Sequence, residues 1–284
     1  MTSSRHVLKL SCPDRKGIVS AVAGFLAAQD CNILDSAQFG DADNGRFFMR
    51  VSFAASQLTS AGQLQAGFEP VQREFSMESE FQDATRKPRL ILMVSRFGHC
   101  LNDLLYRYRT GALPVEIPAI VSNHRDFYQL AAAHDIPFHH VPVTLDTKAR
   151  QEARLLELYQ EERADLIVLA RYMQVLSPEL CARLSGHVIN IHHSFLPSFQ
   201  GAKPYQQAHD RGVKLIGATA HYVTEDLDEG PIIEQDVARV DHSYTVERCT
   251  TVGRDVESAV LARAVQWHVE NRILLNGHRT VVFR

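Results

Sequence analysis

The chain is poor in cysteine and tryptophan, lacks long apolar runs, and carries no excess of one charge. Only five of its 284 residues are cysteine and one is tryptophan. Cys12, Cys31, Cys100, Cys181 and Cys249 are scattered, odd in number and include no C-x-x-C pair. That spacing excludes a disulfide framework and a zinc set, and it reads as free thiols in a reducing cytoplasm. No apolar stretch reaches the roughly 18 residues needed to span a bilayer, so no membrane partner is expected. Met1–Arg5 leads directly into a strand-like segment without the pattern of a signal peptide. Thirty basic residues against 33 acidic ones give a net charge of −3. With no basic stripe or arginine-rich tract, nucleic acid is not an expected partner. The dinucleotide glycine fingerprint is missing, which leaves a nicotinamide cofactor unsupported. His139-His140 and His192-His193 are adjacent pairs whose members point to opposite faces of a strand, so no metal is expected either.

What is present is enough apolar material, 45%, over a length that suggests two domains. The first eighty residues read as strand His6–Ser11, a turn through Pro13–Gly17, and helix Ile18–Ala28 with apolar residues at helical spacing. Strand Asn32–Phe39 follows, then a hairpin turn at Asp41–Gly45 whose Asn-Gly pair tolerates positive φ. Strand Arg46–Ala54, helix Thr59–Arg73 and strand Ser76–Phe81 complete a βαββαβ order, the ferredoxin-like pattern. Residues 1–83 are therefore assigned to one domain, with a polar linker at 84–88 that ends in Pro88.

From 89 to 284 the rhythm changes. Apolar strands Leu90–Val94, Ile117–Val121, Phe138–Val141, Leu166–Ala170 and Val188–His192 alternate with helical segments. Continuous apolar strands separated by helices predict a mostly parallel, Rossmann-like sheet buried on both faces. Ligands bind such sheets beyond the carboxyl ends of the strands, and His192 sits at one such end. A long helical pattern runs through Tyr244–Arg272, where Trp267 reads as packing.

Two segments carry chemistry. The strand Val188–His192 leads into His193, Ser194, Phe195, Leu196 and Pro197. If the strand stays regular, Asn190, His192 and Ser194 share a face. An amide and an imidazole held on a rigid element can polarise a carbonyl and move a proton, although Asn and His at strand ends also occur as satisfied polar groups. The second segment runs from His221 through Glu225, Asp226, Leu227 and Asp228 to Gly230-Pro231.

Together these segments resemble the folate-dependent formyltransferase superfamily. The matching elements are Asn190-Ile191-His192, Ser194, Leu196-Pro197-Ser198-Phe199, Gly201, His221 and Leu227-Asp228 before Gly230-Pro231. The resemblance implies a catalytic trio at Asn190, His192 and Asp228. It also implies a folate pocket along Arg171–Pro178, with Met173, Val175 and Leu176 as apolar contacts and His221 beside the substrate. The N-terminal segment resembles an ACT domain through Asp14-Arg15-Lys16-Gly17-Ile18-Val19. Such domains bind amino acids or drive oligomerisation, which implies at least a homodimer and an amino-acid effector held around Gly17 and Asn32. Gly17 opens a helix whose free N–H groups attract a carboxylate, although Asp14 could cap that helix itself.

The stretch Ser95–Asp103 holds one glycine, with Phe97 and His99 adding bulk where a phosphate cradle needs bare backbone N–H groups. Phe97–Leu105 and the ACT segment together resemble the formyltetrahydrofolate deformylases, and His193 fits that family as well. The implied reaction is hydrolysis of 10-formyltetrahydrofolate to tetrahydrofolate and formate, in one-carbon and purine metabolism. The folate and water are the partners and no separate cofactor is implied. Formyl transfer to another amine, or a non-enzymatic amino-acid sensor, are the alternative readings.

Overall fold

The computed structural model describes residues 3–144, 146–196 and 204–284. Pro197, Ser198, Phe199 and Gly201 of the first motif lie outside the described residues. The chain forms two compact units, Met1–Lys87 together with Trp267–Arg284, and Pro88–Gln266.

The first unit begins with β1 (Ser3–Pro13), α1 (Ile18–Ala28), β2 (Asn32–Asp41), β3 (Arg46–Ser56), α2 (Ala61–Phe75) and β4 (Glu78–Asp83). The sheet order is β2-β3-β1-β4, all antiparallel neighbours, which is the expected ferredoxin-like arrangement. Phe47, Met49, Val51, Phe53 and Ala55 recur every second residue along β3 and share one buried face. They pack with Ile18, Val22 and Leu26 of α1 and Leu64 and Phe68 of α2. A capping box starts α2, with the Ser60 hydroxyl accepting from the Gln63 amide and the Gln63 side chain accepting from the Ser60 amide. Gly45 has φ +65° in the β2–β3 turn, as its Asn-Gly pair predicts.

The second unit contains β5 (Arg89–Val94), α3 (His99–Arg109), β6 (Glu116–Ser122), α4 (Tyr128–Ala132), β7 (Phe138–His140), α5 (Lys148–Glu161), β8 (Leu166–Leu169), α6 (Pro178–Arg183), β9 (Val188–His192), α7 (Pro204–Asp210), β10 (Leu215–Tyr222), β11 (Ile232–Arg239) and α8 (Val246–Val269). Its sheet runs β11-β10-β9-β8-β5-β6-β7. The five strands β9, β8, β5, β6 and β7 are parallel, and β10 and β11 add antiparallel pairings at one edge. The chain winds outward from β5 through β6 to β7, then returns to β8 on the other side of β5. The two windings part between β5 and β8, where open α/β sheets form their ligand crevice.

The chain closes with the hairpin β12 (Ile273–Asn276) and β13 (Arg279–Val282), which belongs to the first unit. Here the structure departs from a second domain running to Arg284. Buried Asp41 accepts from Asn276 and Arg279 at 2.7 and 2.9 Å. Buried Arg50 donates to the Asn271 and Glu270 carbonyls, both at 3.0 Å. These polar ties are long-range in sequence and leave no local pattern to read.

Candidate active site

The carboxyl ends of β5, β8 and β9 open onto a cavity of about 660 Å³. The parallel ladder brings Met93 beside Leu169 and Leu169 beside Asn190. Asn190 and His192 therefore emerge next to the loop that follows β8. That loop is held by Ser95, whose amide donates to the Arg171 carbonyl at 3.1 Å and whose hydroxyl accepts from the Met173 amide at 2.9 Å. The expected pocket residues Met173, Val175 and Leu176 line the cavity with Asn190, His192, His221 and Asp228. The structure thus brings every residue of the two motifs assigned to catalysis or substrate contact into one place.

The trio's geometry comes from the β9–β10 pairing and the loop after β10. His221 lies opposite Asn190, and the Asn190 amide meets the His221 Nε2 at 3.2 Å. The His221 Nδ1–H donates to the Tyr222 carbonyl at 2.8 Å, since a carbonyl only accepts. A register shift between Ala220 and His221 bulges the β10–β11 ladder, which continues with His221 opposite Ile232. The loop then returns through Gly230. A Cβ there would sit 1.7 Å from the Tyr222 carbonyl oxygen, so only glycine allows this close return. Asp228, at φ +59°, points back at both imidazoles. Its carboxylate reaches His192 Nδ1 at 3.1 Å and His221 Nε2 at 3.6 Å.

Burial raises the Asp228 carboxyl pKa, but hydrogen bonds and charge from His192 and His221 outweigh it and hold the group well below the usual carboxylate range. An ionised Asp228 accepts from His192 Nδ1, leaving Nε2 as the ring's other working nitrogen. His192 is 5% exposed, and its Nε2 has no hydrogen-bond partner among the described residues. Next to it, His193 is driven down to about 3, first by burial and then by the charge of Arg171. It is neutral at physiological pH.

Ser194 does not share the site. The strand ends at His192, and the Ser194 carbonyl turns away to accept from the Thr219 hydroxyl at 3.0 Å. The effector residues stand apart from each other as well. Gly17, at φ +99°, is the N-cap of α1. Asn32 begins β2 opposite Ala54, at the far end of the strand from the Asp41–Gly45 turn that bonds the Asp14 amide. The fold does not bring Gly17 and Asn32 together within one chain.

Sequence reasoning gave no role to a charged cluster that lines the same cavity. Glu257 of α8, 1% exposed, pairs with His99 at 2.8 Å and with Arg171 at 3.1 Å, and it accepts from the Tyr205 hydroxyl. Its signal was the acidic side chain on the buried stripe Cys249, Gly253, Glu257, Leu261. Gly253 lies one turn earlier, where a Cβ would strike the Tyr205 ring at 2.2 Å. Side-chain atoms of His99, Cys100 and Glu257 converge within 4.8 Å. Burial holds the Cys100 thiol protonated and Arg171 already neutralises the carboxylate, so this donor set suits an ion-pair network better than a cation.

Residues 88–265 match the formyl transferase family and residues 6–62 the ACT domain family. Fold and site thus define a formyl transferase-type unit joined to an ACT domain. A formyltetrahydrofolate deformylase from a Corynebacterium species is 51% identical over 283 residues, covering 99% of this chain and 98% of that protein. The crystal structure of the formyltetrahydrofolate deformylase from Burkholderia mallei superposes with a TM-score of 0.94 at 54% identity, covering 99% of this chain and all of that one. The chain belongs to the formyltetrahydrofolate deformylase family. A glycinamide ribonucleotide transformylase from Symbiobacterium toebii is a more distant neighbour, with a TM-score of 0.66 and 29% identity, over 72% of this chain and 97% of its own. Among the described residues no helix is long and apolar enough to cross a membrane.

Proposed function

We propose that the protein hydrolyses 10-formyltetrahydrofolate to tetrahydrofolate and formate, with water as the acceptor of the formyl group. The observation that carries this reading is the His192–Asp228 pair at 3.1 Å, beside Asn190 in a cavity with an apolar flank. The folate is substrate here, and no electron transfer is involved that would call for a redox cofactor.

His192, with its Nδ1–H engaged by Asp228, takes a proton from water at Nε2 as the water oxygen attacks the formyl carbon. Negative charge grows on the formyl oxygen. Asn190 has two amide N–H groups, one committed to His221, and the second donates to that oxygen. The imidazolium, held by Asp228, then gives its proton to the departing folate nitrogen, and the C–N bond breaks. Met173, Val175 and Leu176 hold the flat ring system, and His221 fixes Asn190.

The ACT unit supports an amino-acid effector and a homo-oligomer of at least two copies. The N-terminus of α1 behind Gly17 is the natural seat for a carboxylate. The five free thiols fit a cytoplasmic enzyme.

Purified protein incubated with 10-formyltetrahydrofolate and no amine should release formate and tetrahydrofolate in equal amounts. Absence of formate overturns the reading.

A further inference from the structure

The hydrolytic reading leaves Glu257 without a task, although it is a buried carboxylate on the cavity wall. Burying such a group costs several kcal/mol unless it is fully paired, so four polar residues would not be expected to converge here for stability alone. The cluster lies at the start of α3, directly after β5, on the edge of the sheet's ligand crevice. Gly98 caps α3 without a side-chain hydrogen bond. A helix start at the end of a parallel strand attracts an anion. The anion near the first two residues of α3 is the protein's own: the Glu257 carboxylate lies within 4.8 Å of the His99 and Cys100 side-chain heteroatoms.

Its partners are the groups an incoming phosphate would need. Arg171, 7% exposed and with a left-handed backbone at φ +65°, pairs with Glu257. His99 takes the same carboxylate oxygen, and Tyr205 donates to the other. Despite burial, the hydrogen bond from His99, the charge of Arg171 and the Tyr205 hydroxyl keep the Glu257 carboxyl below its ordinary range, so the anion is permanent at neutral pH. Gly98 lets the Phe127 ring close over the loop, at a distance where a Cβ would meet it at 2.2 Å. Neutral His193 lies tilted beside Tyr205 with centroids 6.2 Å apart and adds no positive charge.

We propose that Glu257 is a built-in anion that closes the acceptor side of the cavity to anionic amines, leaving water as the nucleophile that reaches the formyl carbon. A phosphate-bearing acceptor would have to displace this carboxylate from Arg171 and His99 while suffering its repulsion. This inference rests on the hydrolytic reading above and names what sets its acceptor.

Inorganic phosphate is the probe. In Glu257→Gln the side chain keeps its shape while Arg171 and His99 lose their anion. Calorimetry in chloride-free buffer should show phosphate binding at least ten-fold tighter to the variant than to the unaltered protein. Phosphate should also raise the melting temperature of the variant alone. Equal phosphate affinity in the two proteins overturns the proposal. So does competitive inhibition of the unaltered protein's formate release by phosphate, a measurement that does not depend on the variant folding. Neither binding readout requires turnover. An unaltered protein that releases no formate therefore defeats the hydrolytic reading separately from this one.

Discussion

Asn190 and His221 stand opposite each other on β9 and β10, and the Asn190 amide is tethered to the His221 ring at 3.2 Å. The ring is fixed in turn, because its other nitrogen is committed to the Tyr222 carbonyl. One N–H of the amide is spent on orientation and the second is aimed by it. Preorganised donors of this kind stabilise charge that develops during reaction. Asn190→Ala should lower kcat by about 10²–10³-fold with a much smaller change in KM, as read from initial rates of formate release.

Asp228→Asn tests the other side of the trio. The amide keeps the size of the carboxylate but no longer holds a proton on His192 Nδ1 or stabilises the imidazolium. The rate should fall by about 10²–10⁴-fold with the fold intact by circular dichroism. A variant that kept full rate would remove Asp228 from the mechanism.

Two glycines give a contrast in backbone terms. Gly230→Ala places a Cβ 1.7 Å from the Tyr222 oxygen, so the loop carrying Asp228 must move away from His221. Activity should collapse, and unfolding in urea should shift to lower concentration. Gly24, inside α1, has nothing within 4 Å of a built Cβ. Gly24→Ala should raise stability by about 0.5–1 kcal/mol in the same titration, because alanine restricts the unfolded chain and favours helix.

His193 predicts a pH dependence of stability. Its ordinary value of 6.5 is pushed to about 3 in the fold, by burial and then by Arg171. Above 6.5 both states are neutral and the group contributes no slope. Between 6.5 and about 3 the unfolded chain binds the proton and the folded chain does not. Stability therefore falls as pH drops through that window, by at most about 1.4 kcal/mol per pH unit. His193→Phe should flatten this limb between pH 7 and 5, measured from urea midpoints.

Much of this architecture could be read along the chain. The strands β5, β8 and β9 are unbroken apolar runs because helices cover both faces of the sheet, and burial leaves a plain trace in composition. The β3 alternation and the Asn-Gly turn of the first unit were equally direct. Edge strand β11 went unread, since Ile232–Arg239 carries Glu234, Gln235, Asp236 and Arg239, and one partly solvated edge permits that mixture. The hairpin β12–β13 is short, and its partner Asp41 is over 200 residues away. In the site, the resemblance of the two short motifs to the folate-dependent formyltransferases pointed to Asn190, His192, His221 and Asp228. Glu257 lies in neither motif. Its partners His99, Arg171 and Tyr205 come from three other parts of the chain and meet only once the sheet is wound.

The placement of Trp267–Arg284 bears on how such a protein can be recombined. The front unit is sewn from both ends of the polypeptide, with Asp41 and Arg50 bonded to residues at the tail. A gene fusion that transplants only the leading segment would deliver a buried Asp41 without Asn276 and Arg279, and a buried Arg50 left with Asp35 but without the two carbonyls of the tail. Exchanging this module between enzymes requires two cuts, one at each terminus.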